Sequence, residues 1–221
     1  CPALASRPQI TPDSAMQLAR HGVRLINAEH PRDATALHAA RFRQIITPAH
    51  IAELDLSQPT QELRAAMNGK WRNRLCKAEA AGLPALNHRA FCGSRDAWLL
   101  KAEANQKRRR YRGLPHALTL AMSKAEPEAL RLFTVLDAAM LFVLHGSRAS
   151  YHIAHIGPEG RAVNAHNLLL AKAMDTLPDF GVRWLELGTL DTETGASLAR
   201  FKLGSGARAR ALGGTWLRVF G

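Results

Sequence analysis

Cysteine is scarce in this chain. The 221 residues include three, Cys1, Cys76 and Cys92, an odd count with no C-x-x-C pair. A disulfide scaffold and a paired-cysteine metal or redox motif are therefore excluded. Nothing beside Cys76 or Cys92 marks a base that would activate a thiol. Long apolar runs are missing as well. No stretch reaches about 18 residues, so no membrane-spanning helix is expected. No signal-like segment is visible, and a reducing, cytoplasmic setting is expected. The sequence starts at Cys1 rather than Met, the expected mark of a truncated or processed beginning. Internal repeats and low-complexity tracts are absent. His145, His152, His155 and His166 have no carboxylate or Cys at ligand spacing, so no metal site is expected.

Acidic residues are the other shortage. Eighteen Asp and Glu face 30 Lys and Arg, giving a formal net charge of +12 and a pI near 10.6. Such a balance favours an anionic partner: a phosphorylated cofactor, an acidic lipid surface or RNA. Solubility alone is the competing explanation. Charge is densest at Lys107, Arg108, Arg109, Arg110 and Arg112, with Tyr111 among them. One aromatic amid five cations suits contact with tRNA or an anionic membrane surface, and equally suits a solvated helix end.

Hydrophobic residues make up 47% of the chain, an ordinary globular share with enough apolar material for a sizeable core. Cys1–Pro12 reads as loose, Ser14–His21 as a short helix capped by Asp13 or Ser14, and Gly22–Ala28 as a short strand. Asp33–Arg43 reads as helical and Ile45–Leu56 as a strand. A helix is predicted over Gln61–Ala81, ended by Gly82 and Pro84. Its stripe of Leu63, Met67, Trp71, Leu75 and Ala78 lies at helical spacing. Lys70, Arg72 and Asn73 sit beside that stripe. They read as an anion-facing set near a substrate or as a plain basic surface. Leu83–Ala90 reads as a strand, with a helix starting at Asp96. Ala129–Leu136, Ala138–His145 and Ser147–Ile156 read as an antiparallel meander with turns at Asp137 and His145-Gly146-Ser147. A loop at Gly157–Gly160 precedes a helix from Asn164 or Ala165 to about Leu177. The start of that helix, with Arg161, Val163, Asn164, Ala165, His166 and Asn167, offers free backbone N–H groups suited to phosphate.

The stretch Val182–Trp216 carries the chemistry. A strand over Val182–Leu187 stops at Gly188, and a polar turn follows at Thr189–Thr194. A short helix, Ala196–Leu203, then presents Lys202 beside the pair Gly204 and Gly206. A last strand is predicted over about Leu212–Phe220. A cation at a strand end suits a site that handles negative charge, and a solvated lysine with a glycine cap suits it equally.

Three segments resemble a known family. GKWRNRLCKAEAAGL resembles the basic helix after the first strand of many GNAT-type acyltransferases. SYHIAHIGPEGRAVNAHNLLLAKAMDTLPDFGVRWLELG resembles their central strand, donor-binding helix and following strand. LARFKLGSGARARALGGTW resembles the Phe-Lys-x-x-x-Gly region of the Fem-like branch. The glycines of the usual pyrophosphate loop, Arg/Gln-x-x-Gly-x-Gly/Ala, have no match in RAVNAHN from Arg161.

This resemblance implies an α/β (α+β) fold: a single GNAT-like domain over 46–221 whose bent mixed sheet holds a central antiparallel meander flanked by helices. Residues 1–45 are expected as an N-terminal extension packing on the core. An N-acyltransferase moving an acyl group from acyl-CoA directly to an amine acceptor is implied, with no permanently bound cofactor. Transfer from an aminoacyl-tRNA, as in Fem-like enzymes, is the alternative. A non-catalytic basic protein binding RNA or a membrane surface is the third. The Lys of the Phe-Lys pair is implied to meet the oxyanion, which places that role on Lys202 beside Phe201. Asp191 is a candidate proton acceptor or amine-positioning group, or a loop-capping Asp, and Tyr151 a candidate general acid or a buried core Tyr. The start of the helix after the central strand, Arg161 to Asn167, is implied to hold donor phosphates.

Overall fold

A computed structural model describes residues 3–107 and 115–219. The chain divides into two compact units, Cys1–Ala52 with Thr189–Gly195 and Ala209–Gly221, and Glu53–Gly188 with Ala196–Arg208. This differs from the expected 1–45 extension on a 46–221 domain. The physical reason is strand pairing, which draws the C-terminus to the N-terminal residues.

In the first unit, strands β1 (Ala3–Ser6), β2 (Val23–Ala28), β3 (Arg43–Ile46) and β11 (Gly214–Leu217) form a four-stranded sheet in the order β1-β2-β11-β3. β11 runs antiparallel to both β2 and β3. Helices α1 (Pro12–Arg20) and α2 (Ala34–Ala39) supply Ala15, Ala19 and Leu37 to a core around Ile26, Phe42 and Trp216. Residues 1–12 are not uniformly loose, because β1 forms there. Thr11, rather than Asp13 or Ser14, caps α1 by exchanging hydrogen bonds with Ser14.

The second unit has a mixed sheet in the order β4-β9-β8-β7-β6-β5. Its strands are β4 (His50–Asp55), which the division of the chain cuts, β5 (Asn87–Ala90), β6 (Leu130–Val135), β7 (Ala138–His145), β8 (Arg148–Ile156) and β9 (Trp184–Thr189). The predicted meander is present: β6–β7 and β7–β8 are antiparallel. β8 and β9 are parallel. Leu132, Phe133, Met140, Leu141 and Phe142 are fully buried, as expected for near-continuous apolar strands covered on both faces.

Around the sheet lie α3 (Thr60–Ala66), α4 (Gly69–Ala80), α5 (Ala97–Lys107), α6 (His116–Ala125), α7 (Pro158–Ala162), α8 (Ala165–Thr176) and α9 (Ala196–Gly204). The short strand β10 (Arg208–Ala211) lies where the chain passes back into the first unit.

Several boundaries differ from the sequence expectation. The strand read over 45–56 is two, β3 and β4, separated by Thr47-Pro48-Ala49, where Pro48 removes a ladder donor. The helix read over 61–81 breaks at Met67 and Asn68, both with extended ψ near 140°. Asn68 then caps α4 by accepting from the Lys70 N–H at 3.0 Å. The loop read at 157–160 holds α7, which sits between β8 and α8. Leu212–Phe220 is strand only over Gly214–Leu217, and Phe220 lies outside the described residues.

Charge ties three neighbouring strands together. The Arg148 guanidinium on β8 donates to Glu186 on β9 at 2.9 Å and to Glu53 on β4 at 2.7 Å. Both carboxylates are largely withdrawn from water. Replacing Arg148 by Met leaves two desolvated anions without this cation, so Arg148→Met is expected to lower unfolding stability by about 3 kcal/mol. Denaturant midpoints of the two proteins check it; a change under about 0.5 kcal/mol would show that the triad is solvent-screened.

Candidate active site

The site grows from a mismatch in strand pairing. β8 pairs with β9 over Arg148–Trp184, Ala149–Leu185 and Ser150–Glu186, three pairs from a nine-residue strand. On the other side of β8 the register shifts: Leu141 faces Ile153, but Phe142 faces Tyr151. His152 is therefore the extra residue of a β-bulge, which bends β8 just past its last pair with β9. The His152 ring and the buried Thr119 hydroxyl on α6 lie 2.8 Å apart. Beyond Ser150 no further β8–β9 pair forms among the described residues.

α9 presents two faces. Ser197, Leu198 and Phe201, one turn apart, line a cavity of about 290 Å³ with Glu103, Tyr151, Ile153, Ala154 and His166. Ala199 and Lys202 form the buried face. Lys202 is 6% exposed. A Cβ built on Gly188 at the end of β9 would lie 3.6 Å from its Nζ. Gly188 has φ +80°, a conformation that other residues adopt at a cost. Desolvation lowers the Lys202 pKa from the ordinary lysine value. This is a buried amine set against a strand end.

The glycines after Lys202 have a steric reason. A Cβ at Gly204 would stand 2.9 Å from Trp71 Cδ1, and one at Gly206, with φ +93°, would stand 3.3 Å from Ala66. The Gly204 carbonyl accepts from the Asn68 N–H at 2.9 Å. The α3–α4 break is thus docked on the end of α9. Trp71 packs against Phe201 with ring centroids 5.9 Å apart.

On that side lies a second cavity of about 640 Å³, lined by Lys70, Arg74 and Arg200 among others. No hydrogen bond or ion pair engages these three cationic heads among the described residues. Phe201 and Ser197 border both cavities.

The turn after β8 is also specific. The Asp137 carboxylate, from the β6–β7 turn, accepts the N–H groups of Glu159 at 3.1 Å and Gly160 at 2.6 Å. Gly157 and Gly160 are small for this reason. A Cβ at Gly157 would fall 2.0 Å from one Asp137 oxygen, and one at Gly160 would fall 2.9 Å from the other. The first N–H groups of α7 therefore already hold an anion, and it belongs to the protein.

The residues singled out in the sequence are distributed as follows. Tyr151 and His166 line the smaller cavity, and Phe201 borders both. His166 donates from Nε2 to the His155 carbonyl at 2.9 Å. Burial lowers its pKa, assisted by the Arg161 charge, so its ring is neutral at neutral pH. Lys70 lines the larger cavity, while Arg72 and Asn73 lie on the exposed face of α4 and are not among the lining residues. Arg161 is exposed on α7, and Val163 and Asn164 link α7 to α8. Asn164 adopts φ +56°. Ala165 and Asn167 are buried, and the Asn167 N–H is taken by the Asn164 carbonyl at 2.9 Å. The helix that follows β8 directly is α7, whose first N–H groups are taken by Asp137, and α8 with Ala165, His166 and Asn167 comes after it.

Asp191 lies in an exposed loop of the first unit. Its carboxylate accepts the Thr194 hydroxyl and the N–H groups of Thr194 and Glu193, and these bonds hold its pKa at about 2. It is a turn cap rather than a proton acceptor, since a carboxylate that acidic is a weak base. Lys107 ends α5, and Arg108, Arg109, Arg110 and Arg112 lie outside the described residues. Among the described residues no group of three His, Cys, Asp or Glu side chains is placed to hold a metal. No helix there is long and apolar enough to cross a membrane.

Sequence reasoning missed Glu103, Arg74, Arg200 and Asp137. A lone Glu inside AWLLKAEANQK carries no spacing signal, and Asp137 looks like an ordinary turn residue.

No protein-family model matches the chain, and no curated protein resembles it in sequence. Solved structures do resemble it in fold. FemX superposes with a TM-score of 0.77 at 13% identity, over 100% of this chain and 82% of that one. The C-terminal domain of a putative lysylphosphatidylglycerol synthetase from Agrobacterium fabrum gives 0.61 at 12% identity, over 97% of this chain and 76% of that one. L-PGS from Bacillus licheniformis gives 0.58 at 12% identity, with the same two coverages. The chain thus has the GNAT-type fold in its Fem-like form.

Proposed function

We propose that the protein transfers an aminoacyl group from an aminoacyl-tRNA to an amine, with Lys202 meeting the charge that develops on the carbonyl oxygen. The observation that carries this reading is the buried Lys202 ammonium at the carboxyl end of β9. A cation withdrawn from water opposes a developing oxyanion far more strongly than an exposed one does. In the step itself, the neutral amine nitrogen attacks the ester carbonyl carbon and a C–N bond forms. The carbonyl electrons move onto oxygen and are held by Lys202. As they return, the bond to the ribose oxygen breaks, and that oxygen leaves with the proton released by nitrogen.

Asp137 favours this donor over acyl-CoA. In the resemblance drawn above, a CoA pyrophosphate sits at the helix after the central strand. Here the N–H groups of that turn bind the Asp137 carboxylate, and a diphosphate brought to them meets a like charge. This argues against a CoA pyrophosphate at this turn. Transfer from an RNA ester needs no such cradle. The likeness to FemX supports the same donor. The net charge of +12 and the basic run from Lys107 supply cations for an RNA backbone.

Two outcomes test the reading. Lys202→Ala is expected to reduce turnover about a hundred- to a thousand-fold while the circular dichroism and melting temperature stay near wild type. Undiminished turnover would sink the oxyanion role. Activity needs the protonated amine, so it is retained below the Lys202 pKa and lost as pH rises through it. Desolvation lowers that pKa, so the alkaline limb is expected below the ordinary lysine value of 10.5, and Lys202→Arg is expected to move it upward.

The donor is tested by melting temperature. A non-hydrolysable aminoacyl-tRNA analogue is expected to raise it, whereas acetyl-CoA, longer acyl-CoA and free CoA are expected to leave it unchanged. A rise with any acyl-CoA would overturn the donor assignment.

A further inference from the structure

The two cavities that share Phe201 have opposite electrical character. The larger has Lys70, Arg74 and Arg200 in its wall. The smaller has no Lys or Arg among its described lining residues, although the protein carries a net charge of +12. Its one acidic side chain is Glu103, 2% exposed and held by His116, whose Nε2 is 2.7 Å from Glu103 Oε2. His166 in the same wall is kept neutral by burial. Two aromatic rings, Tyr151 and Phe201, complete the lining with Ile153, Ala154, Leu198 and Ser197. A desolvated carboxylate disfavours anions, and the faces of aromatic rings favour cations. The volume, about 290 Å³, accommodates a group of amino-acid size.

We propose that this cavity is an ammonium-binding subsite, in which Glu103 is the counter-ion that recognises the free amino group of the aminoacyl moiety on the donor. The inference rests on the aminoacyl-transfer reading and adds to it a specificity determinant. Glu103 belongs to the donor's amine rather than the acceptor's for a chemical reason. The acceptor must lose its proton to attack, and a carboxylate beside it would hold that proton on. The ammonium that stays charged throughout is the one that does not react. Tyr151 and Phe201 flank it, and His116 positions the carboxylate. An acyl group without an amine leaves Glu103 facing an apolar group, so the cavity selects against simple acyl donors as well as for aminoacyl ones.

The subsite is tested by binding, without turnover. Wild-type protein at pH 6.5 is titrated with alaninamide and with propionamide, which lacks the ammonium, while the amide NMR signals of Ala154, Leu198 and Phe201 are followed. Alaninamide is expected to bind about tenfold more tightly or better, and Glu103→Gln is expected to weaken it to the level of propionamide. Equal affinity of the two ligands for wild type, no saturable shift with alaninamide, or a preference that survives in Glu103→Gln each overturns the subsite. The wild-type comparison stands even if Glu103→Gln fails to fold. An ammonium preference together with undiminished turnover in Lys202→Ala would sink the catalytic reading alone. No preference, with turnover lost in Lys202→Ala, would sink the subsite alone.

Discussion

The brevity of the contact between β8 and β9 governs the site. Parallel neighbours normally share a ladder along most of their length, and here the ladder stops at Ser150 and Glu186. The bulge at His152 turns β8 at that point. Backbone polar groups released from a ladder need other partners, and side chains or a substrate can supply them. The carboxyl end of β9 is open to α9, whose Lys202 sits against Gly188. Had β8 and β9 paired throughout, ladder bonds would have filled the space now lined by Tyr151, Ile153 and Ala154.

Burying a lysine is expensive, and the second unit distributes its charge so that this amine is not crowded by others. Arg148 is spent on Glu53 and Glu186, and Arg89 on the buried Asp96. Three cations of α4 and α9, Lys70, Arg74 and Arg200, gather at the larger cavity. Phe201 stands between that positive wall and the smaller cavity with its carboxylate. One helix of nine residues thereby borders both cavities through Ser197 and Phe201 and carries Lys202 on its buried face. The spacing of 3.6 residues per turn makes this possible, because Phe201 and Lys202 project about 100° apart.

The sequence made the middle of the chain legible and its ends much less so. The meander was readable because Leu130–Val135 and Ala138–His145 are near-continuous apolar runs with a turn residue between them. The strand–helix pairing around Lys202 was readable because Gly188, Gly204 and Gly206 punctuate it. The break at Met67-Asn68 was not, since Met67 continues the apolar stripe, and only the docking of Asn68 on Gly204 favours a cap over a continuous helix. The grouping of the first 52 residues with β11 was hidden as well. It depends on pairing between residues nearly 190 positions apart, such as Thr215 with Asn27, and local pattern says nothing about that. Asp191 left two readings open in the sequence, and the bonds its carboxylate accepts within its own turn match the capping one.

Likeness of fold does not decide what enters the opening between β8 and β9. That decision lies in small substitutions around it. Asp137 shows how few are needed. A carboxylate in one turn, with glycines at 157 and 160 to make room for it, replaces the phosphate that the turn would otherwise attract. The three positions constrain each other. A side chain at Gly157 expels Asp137, and loss of Asp137 leaves the N–H groups of Glu159 and Gly160 without the acceptor they have now. Changing either glycine therefore disrupts the turn without creating a pocket for a diphosphate. Recovering such a pocket requires the carboxylate to go while the glycines stay, so that an incoming anion can take its place on the same two N–H groups. The carboxylate is held on these two backbone donors by its mutual steric dependence with Gly157 and Gly160.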